Sequence, residues 1–107
     1  MSAAEVACLR HLIGLTLSDL AREIGVDRRS AGSWAQGRDR INPRNQERLL
    51  ALVAEHDTLT DNLLWSAKSG QRILLPAQPR PRGWYKAAGA RLLALKPDAS
   101  LDWAMDR

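Results

Sequence analysis

Apolar residues recur at every third or fourth position along most of this chain, and that spacing predicts α-helices rather than strands. Val6, Leu9 and Ile13 follow it in the first segment. Ser2 and Glu5 form the sequence signature of a capping box, in which each side chain accepts a hydrogen bond from the backbone N–H of the other residue. We therefore predict a first helix over residues 3–13.

Residues 15–37, with the sequence LTLSDLAREIGVDRRSAGSWAQG, predict two short helices joined by a tight turn. Thr16 precedes the first of them, and Gly25 ends it with a residue that tolerates a positive φ. Asp27 is a favourable N-cap for the second helix, which fills the rest of the segment. The helical position of Trp34 indicates that its ring belongs to the core.

The next segment carries a longer apolar stripe. Asn42 and Pro43 suit the N-cap and the first position of a helix. The apolar side chains that follow fall on one stripe, which predicts a helix to about Lys68. Asp57 and Thr58 are poor residues for a helix interior and leave a break open at that point. The second half of the stripe has nothing to cover in the N-terminal part, and we expect it to contact the C-terminal segment or a second copy.

The C-terminal segment has a different pattern. RILLP predicts a short strand, AQPRPRG an extended connector, residues 83–95 an amphipathic helix, and SLDWAM a final strand. A two-stranded sheet with one helix buries little apolar surface, so this segment needs a partner. We expect the same segment of a second chain, with contacts from six apolar side chains: Leu59, Leu63, Trp65, Trp84, Leu92 and Trp103.

Together these elements predict a mainly α-helical fold. A helix-turn-helix head of four to five helices occupies residues 1–69, hereafter the head. A small strand-helix-strand dimerisation segment occupies residues 70–107, hereafter the C-terminal segment. A chain of 107 residues has room for one compact domain with an appendage, but not for two full cores.

Charge and cysteine content narrow the possible partners. The formal net charge of +4 favours a polyanion. Positive charge is concentrated in two segments, with six arginines against two acidic residues in 28–48, and six basic residues with no acidic one in 72–96. The single cysteine, Cys8, cannot form an internal disulfide, and we expect it to be a small core residue. With only two histidines besides, the sequence predicts neither a metal site nor another cofactor.

The order of features over residues 6–53 resembles the helix-turn-helix of the phage-repressor and Cro family of DNA-binding proteins, which are also called XRE-like. The features are a small residue, a turn glycine, an apolar plug, a capping residue and a core tryptophan: Ala21, Gly25, Val26, Asp27 and Trp34. The overall layout is similar to that of anti-CRISPR-associated regulators, which append an α+β dimerisation segment to such a head.

This resemblance implies which residues contact DNA. The positions that match Arg28, Arg29 and Ser33 are the usual base readers of the family, and an arginine there binds guanine through O6 and N7. Contacts to phosphates or to the groove are implied for six further residues: Arg10, Ser30, Gln36, Arg38, Arg40 and Arg44. The chain departs from the family at Leu17, which replaces a polar phosphate ligand, and at Ala35, which replaces a glutamate that commonly pairs with an arginine of the first helix.

By resemblance, we expect a homodimeric, sequence-specific transcriptional repressor that binds an inverted repeat of double-stranded DNA, in its own promoter or in that of an anti-CRISPR or other phage operon. Two alternatives stay open: an antitoxin-like protein-interaction module with a DNA-binding head, and an RNA-binding regulator that uses residues 72–96. We expect no enzyme, since the sequence contains no recognisable set of catalytic residues. We expect a cytoplasmic protein without a membrane partner, since no segment has the pattern of a signal peptide or a membrane span.

Overall fold

The computed structural model describes residues 1–104, and in that range it contains five helices and a two-stranded sheet. In chain order these elements are α1 (Ala3–Leu12), α2 (Leu17–Ile24), α3 (Arg28–Gln36), α4 (Pro43–Lys68), β1 (Ile73–Leu75), α5 (Arg82–Leu95) and β2 (Leu101–Trp103). The fold is mainly helical with a small C-terminal sheet, as the sequence predicts. Local signals therefore decide the type and the approximate bounds of every one of these elements.

Short polar side chains determine where the first four helices begin. Ser2 Oγ accepts a hydrogen bond from Glu5 N–H at 3.1 Å, and the Glu5 carboxylate accepts one from Ser2 N–H at 2.7 Å. Thr16, Asp27 and Asn42 accept the equivalent backbone bond at the starts of α2, α3 and α4. Each cap satisfies an N–H group that the first turn of a helix leaves free, so these predicted starting points are confirmed.

The core of the head lies between α1, α2, α3 and the first half of α4. Gly25, with a φ of 87°, reverses the chain between α2 and α3, and Val26 packs against the core from the turn. Trp34 is only 6% exposed, which confirms its predicted core position. The largest fully buried apolar side chains of the head are Val6, Ile13, Leu20, Ile24 and Leu49.

Cys8 lies on the exposed side of α1, which corrects the expectation of a core position. It follows the buried Val6 by two residues, and two residues of α-helix rotate a side chain by roughly 200°. Cys8 therefore faces away from the core that Val6 enters. Leu9 and Ile13 supply the remaining apolar contacts of this segment instead.

Helix α4 runs without interruption for 26 residues, so there is no break at Asp57 and Thr58. Asp57 accepts a hydrogen bond from the Arg91 guanidinium of α5 at 2.7 Å, and Thr58 Oγ1 donates to the Ala54 carbonyl oxygen at 3.2 Å. The low helix propensity of the two residues amounts to about 1 kcal/mol together, and the packing of α4 on α5 outweighs it. The helix therefore belongs to both parts of the molecule.

Strands β1 and β2 pair in parallel, with Ile73 opposite Leu101, and α5 connects them. Ile73 and Leu75 are buried, whereas Leu74 between them is 56% exposed. This alternation follows from the period of a strand, in which neighbouring side chains lie on opposite faces. One face of the sheet therefore packs on the molecule, and the other is open.

The C-terminal segment packs directly on the head. A Cβ atom added at Gly14 would overlap the carbonyl oxygen of Gly83, so the turn after α1 and the start of α5 touch through their backbones. Trp84 is 2% exposed, and its ring meets the His56 ring edge-on at 4.7 Å. Arg80 pairs with carboxylates of both α2 and α4. One apolar core therefore extends through both parts of the chain.

The six apolar residues expected at a dimer contact lie in different environments. Trp84 and Leu92 are 2% and 0% exposed inside the core of the chain itself, and this corrects the expectation for them, since a buried side chain has no surface to offer a second copy. Three others are partly buried against the same core: Leu59, Leu63 and Trp103. Trp65 is 70% exposed. Much of the apolar surface that we expect at a dimer contact is therefore covered within the chain itself.

Two further findings apply to the same range of residues. None of the helices in residues 1–104 combines the length and the apolar character needed to cross a membrane. The His, Cys, Asp and Glu side chains of these residues form no group of three or more that could hold a metal ion.

Candidate nucleic-acid interface

Helix α3 is packed on one face and open on the other. Ala31 and Trp34 are 0% and 6% exposed, and they attach the helix to α1 and α2. Arg28 and Arg29, in the first turn, are exposed. At roughly 100° of rotation per residue, Arg29 lies on the side opposite Ala31 and Trp34, and Arg28 lies at the edge between the buried and the exposed side.

The N-terminus of α3 is held by its own cap. Asp27 Oδ1 accepts a hydrogen bond from the Ser30 N–H at 2.7 Å. This bond lowers the pKa of Asp27, and the charge of the nearby Arg29 acts in the same direction. The Asp27 carboxylate is therefore ionised and committed to the helix terminus, which keeps the first turn of α3 formed where the arginines lie.

A polar depression of about 470 Å³ lies along the exposed face of α3, bounded by the start of α2 and by the loop that follows α3. Among residues 1–104, Leu17 is the one apolar side chain that lines the depression, and it stands where the resembled family has a polar phosphate ligand. Six of the nine residues predicted to contact DNA line the depression: Arg28, Arg29, Ser30, Ser33, Gln36 and Arg38. The fold thus brings most of the predicted set onto one surface.

The arginines of the polar depression differ in how they are bound. Within residues 1–104, the side chains of Arg28 and Arg29 form neither a hydrogen bond nor an ion pair. Arg38 donates to the Oε1 atom of Gln36, which lines the same depression. Two guanidinium groups at the start of α3 are thus available to an external acceptor.

Asp39 also lines the polar depression and is absent from the predicted set. Its Oδ2 atom accepts a hydrogen bond from Ser33 Oγ at 2.6 Å. In the sequence Asp39 stands between Arg38 and Arg40, and an acidic residue in that position is readily interpreted as one that only offsets the charge of its neighbours. No helical spacing indicates its direction, because only the conformation of the loop brings it back to Ser33.

Three arginines near the depression have other surroundings. Arg40 is exposed and borders a separate, smaller depression beside Met1 and Trp34. Arg44 is exposed in the first turn of α4. Arg48 Nη1 donates to the Ile24 carbonyl oxygen at 2.5 Å and so satisfies the end of α2. Arg40 and Arg44 are thus exposed but outside the polar depression, whereas Arg48 stabilises the fold.

Arg10 lies apart from the polar depression. Its Nη1 donates to the Leu15 carbonyl oxygen at 2.9 Å, and its buried Nε has no partner within residues 1–104. The side chain borders a groove between α1 and α5, beside Gly83 and Lys86. Arg10 thus binds the backbone of the turn after α1 and lies outside the polar depression, and the expected phosphate contact stays a prediction.

The second basic segment is largely neutralised by the fold. Four of its six basic residues pair with carboxylates: Arg72 with Asp102, Arg80 with Glu23 and Glu55, Arg91 with Asp57, and Lys96 with Asp98. The Arg82 guanidinium lies 4.0 Å from the centre of the Trp103 ring. Lys86 is exposed. The two basic segments of the sequence therefore differ in structure, and unpaired cationic charge remains mainly on α3 and around it.

The polar depression combines free guanidinium groups at the start of a helix with further donors along the same face. Such a surface suits a polyanion that offers hydrogen-bond acceptors in a groove. In comparisons with known proteins, the chain matches no protein-family model, and no curated protein matches it in sequence.

Proposed function

We propose that this chain is a sequence-specific DNA-binding protein that regulates transcription. The observation that carries the proposal is the state of Arg28 and Arg29. Both are exposed in the first turn of α3 and unpaired within residues 1–104, whereas most other arginines in that range are held by carboxylates or carbonyl oxygens. Two free guanidinium groups at the leading end of an exposed helix are what a reader of the major groove requires.

In this proposal the N-terminal end of α3 enters the major groove. The guanidinium group of Arg28 or Arg29 offers two parallel N–H donors to O6 and N7 of a guanine, and each such pair discriminates against a wrong base by about 1–3 kcal/mol. Ser30, Gln36 and Arg38 contact phosphates from the same face. Arg40 and Arg44 extend the phosphate contacts on the side of α4.

We further propose that the protein binds as a homodimer. One head offers few base contacts, and two heads related by a two-fold axis place their α3 helices about 34 Å apart, on an inverted repeat. Exposed apolar side chains outside the head core support association, since Trp65, Leu74 and Leu95 are 70%, 56% and 64% exposed. Such a dimer acts as a repressor when its site overlaps a promoter, either its own or that of a phage operon.

The test begins with selection of binding sites from a random duplex library, followed by titration of the selected duplex. We compare the double variant Arg28→Gln/Arg29→Gln with Lys68→Gln/Lys86→Gln, which removes the same charge at exposed positions outside the polar depression. We expect the arginine variant to lose about a hundredfold or more in affinity for the selected duplex. We expect the lysine variant to lose about threefold or less in affinity for the same duplex. We also expect the complex to contain two chains per inverted repeat.

Equal losses in the two double variants would contradict the proposal, because binding would then depend on total charge and not on α3. Binding of single-stranded RNA without duplex binding, abolished by changes at Arg82 and Lys86, would favour the RNA-binding regulator. If the chain binds another protein tightly and binds no nucleic acid, the antitoxin-like module is favoured.

A further inference from the structure

Ser33 and Asp39 present an unusual surface within the polar depression. The Ser33 hydroxyl donates its only hydrogen to Asp39 Oδ2, at 2.6 Å. A carboxylate has no hydrogen to donate, and the hydroxyl has already used its own. Both residues line the depression together with Arg28 and Arg29, so this surface carries acceptors as well as donors, and the Ser33–Asp39 pair is hereafter called its acceptor side.

The acceptor side is poorly suited to phosphate. Phosphate oxygens are negatively charged acceptors, and Asp39 repels them while Ser33 has no free hydrogen for them. In the major groove, by contrast, two exocyclic amino groups donate, N4 of cytosine and N6 of adenine. Adenine carries the acceptor N7 beside its amino group, and the Ser33–Asp39 pair, which offers only acceptors, repels N7. Cytosine presents no acceptor of its own in the major groove, so its N4 amino group is the better partner for Asp39.

We infer that Asp39 is a specificity-determining residue that accepts a hydrogen bond from the N4 amino group of a cytosine, and that Ser33 positions it. This inference rests on the proposed function, and it assigns to Ser33 a positioning role in place of direct base reading. The negative charge has a second consequence. It lowers the affinity for DNA of arbitrary sequence, because Asp39 then faces phosphates or bases that offer no donor. The ratio of specific to non-specific binding therefore rises.

Three single variants test this inference in the intact chain. Asp39→Asn keeps a side-chain carbonyl for Ser33, removes the charge and adds an amide donor. Ser33→Ala keeps the charge and removes the hydrogen bond that holds it. Asp61→Asn is the matched control, because Asp61 is exposed on α4 and forms no ion pair within residues 1–104.

For Asp39→Asn we expect about fivefold higher affinity for random-sequence duplex at low salt, since a repulsion between like charges is removed. In the sites selected from the library, one cytosine position changes to adenine, to which an amide side chain binds through N6 and N7. The guanines read by Arg28 and Arg29 stay. For Ser33→Ala we expect the cytosine preference to fall by about tenfold while affinity for random duplex changes by less than about twofold.

If Asp39→Asn selects the same sites as Asp61→Asn and binds random duplex equally well, the inference is wrong while the proposed function stands. Loss of all duplex binding in an Asp39→Asn protein with an unchanged thermal transition also overturns it. If the amide disturbs the loop, Asp39→Ser also removes the charge, and we expect it to raise affinity for random-sequence duplex and to lose the cytosine preference without gaining one for adenine. A wild-type chain that binds no duplex DNA removes the proposed function and this inference together.

Discussion

At His56, burial and two hydrogen bonds define the protonation state of one side chain. The ring is 0% exposed, and its Nε2 lies 2.9 Å from the Trp84 carbonyl oxygen. A carbonyl only accepts, so Nε2 carries the proton and donates, and Nδ1 accepts from Arg91 Nη1 at 2.9 Å. Burial lowers the pKa of His56, and the Arg91 charge adds to this. The hydrogen bond to Trp84 and the charge of Asp57 oppose it.

The lowered pKa of His56 predicts that the protein loses stability in mild acid. Below the ordinary pKa of 6.5 the unfolded chain binds a proton that the folded chain resists. The contribution of neutral His56 is therefore complete above pH 6.5 and is lost as the pH falls toward the folded pKa. Between pH 7.5 and 5.5 we expect the free energy of unfolding to fall, with a slope of at most about 1.4 kcal/mol per pH unit.

Urea denaturation at several pH values checks this slope. His11 is exposed, so His11→Gln is the matched control and keeps the pH dependence of the wild type. His56→Gln retains an amide donor for the Trp84 carbonyl but cannot titrate, and its stability is nearly flat over the same range. An equal slope in both variants would show that other groups are responsible.

Gly32 lies in the middle of α3 and Gly89 in the middle of α5, and the two glycines differ in the space around them. A Cβ atom at Gly32 of α3 would lie 3.9 Å from Leu17 Cδ1, an ordinary contact. At Gly89 of α5 it would lie 3.0 Å from Leu75 Cδ1 and 3.3 Å from Leu101 Cδ1, so the two leucines would have to move. The first glycine weakens its helix without a packing reason, whereas the second allows α5 to lie close to the sheet.

The same substitution is therefore expected to have opposite effects in these two helices. Gly32→Ala raises the free energy of unfolding by about 0.5–1 kcal/mol, because alanine loses less backbone entropy in a helix. Gly89→Ala lowers it by about 1–3 kcal/mol, because it overpacks the contact with β1 and β2. Chemical denaturation followed by circular dichroism measures both. Destabilisation by Gly32→Ala would mean that the exposed face of α3 is more tightly packed than described.

In the whole molecule, the joint between the head and the C-terminal segment depends on backbone contact. Gly14 has a φ of 70°, and the Gly83 carbonyl occupies the space where the Cβ atom of any other residue would lie. Around this contact, Arg80 bridges Glu23 and Glu55, and its guanidinium lies 4.8 Å from the centre of the Trp84 ring. The C-terminal segment therefore adds stability to the head by sharing its core.

Gly14→Ala and Gly70→Ala together measure how tight this joint is. Both glycines have positive φ, 70° and 80°, so alanine costs about 1–2 kcal/mol at either position. Gly70 has no atom within 4 Å of an added Cβ, whereas Gly14 would force two backbones apart. We expect Gly14→Ala to lower the free energy of unfolding by about 1–3 kcal/mol more than Gly70→Ala in urea titrations. Equal losses of unfolding free energy in the two variants would show that the backbone contact between Gly14 and Gly83 can separate at little cost.

The sequence alone determined the helices and most of the candidate site. Caps such as Ser2 and Asn42, and apolar spacing around Trp34, act over a few residues, so their consequences can be derived without knowing the fold. The same locality explains why most of the predicted contact residues meet in the polar depression, since a helix with a defined buried face also has a defined exposed face.

The tertiary structure alone decided which charges are free and which apolar groups are covered. Arg80 meets Glu23 and Glu55, Arg10 turns to the Leu15 carbonyl, and Trp84 is buried against His56 within one chain. Partners such as Glu23 and Arg80 lie far apart in sequence, and a pattern of residue types does not specify which distant groups meet. A loop without periodicity likewise brings Asp39 to Ser33. Pairing and burial at a distance depend on the packing of the whole chain, and only the folded molecule provides them.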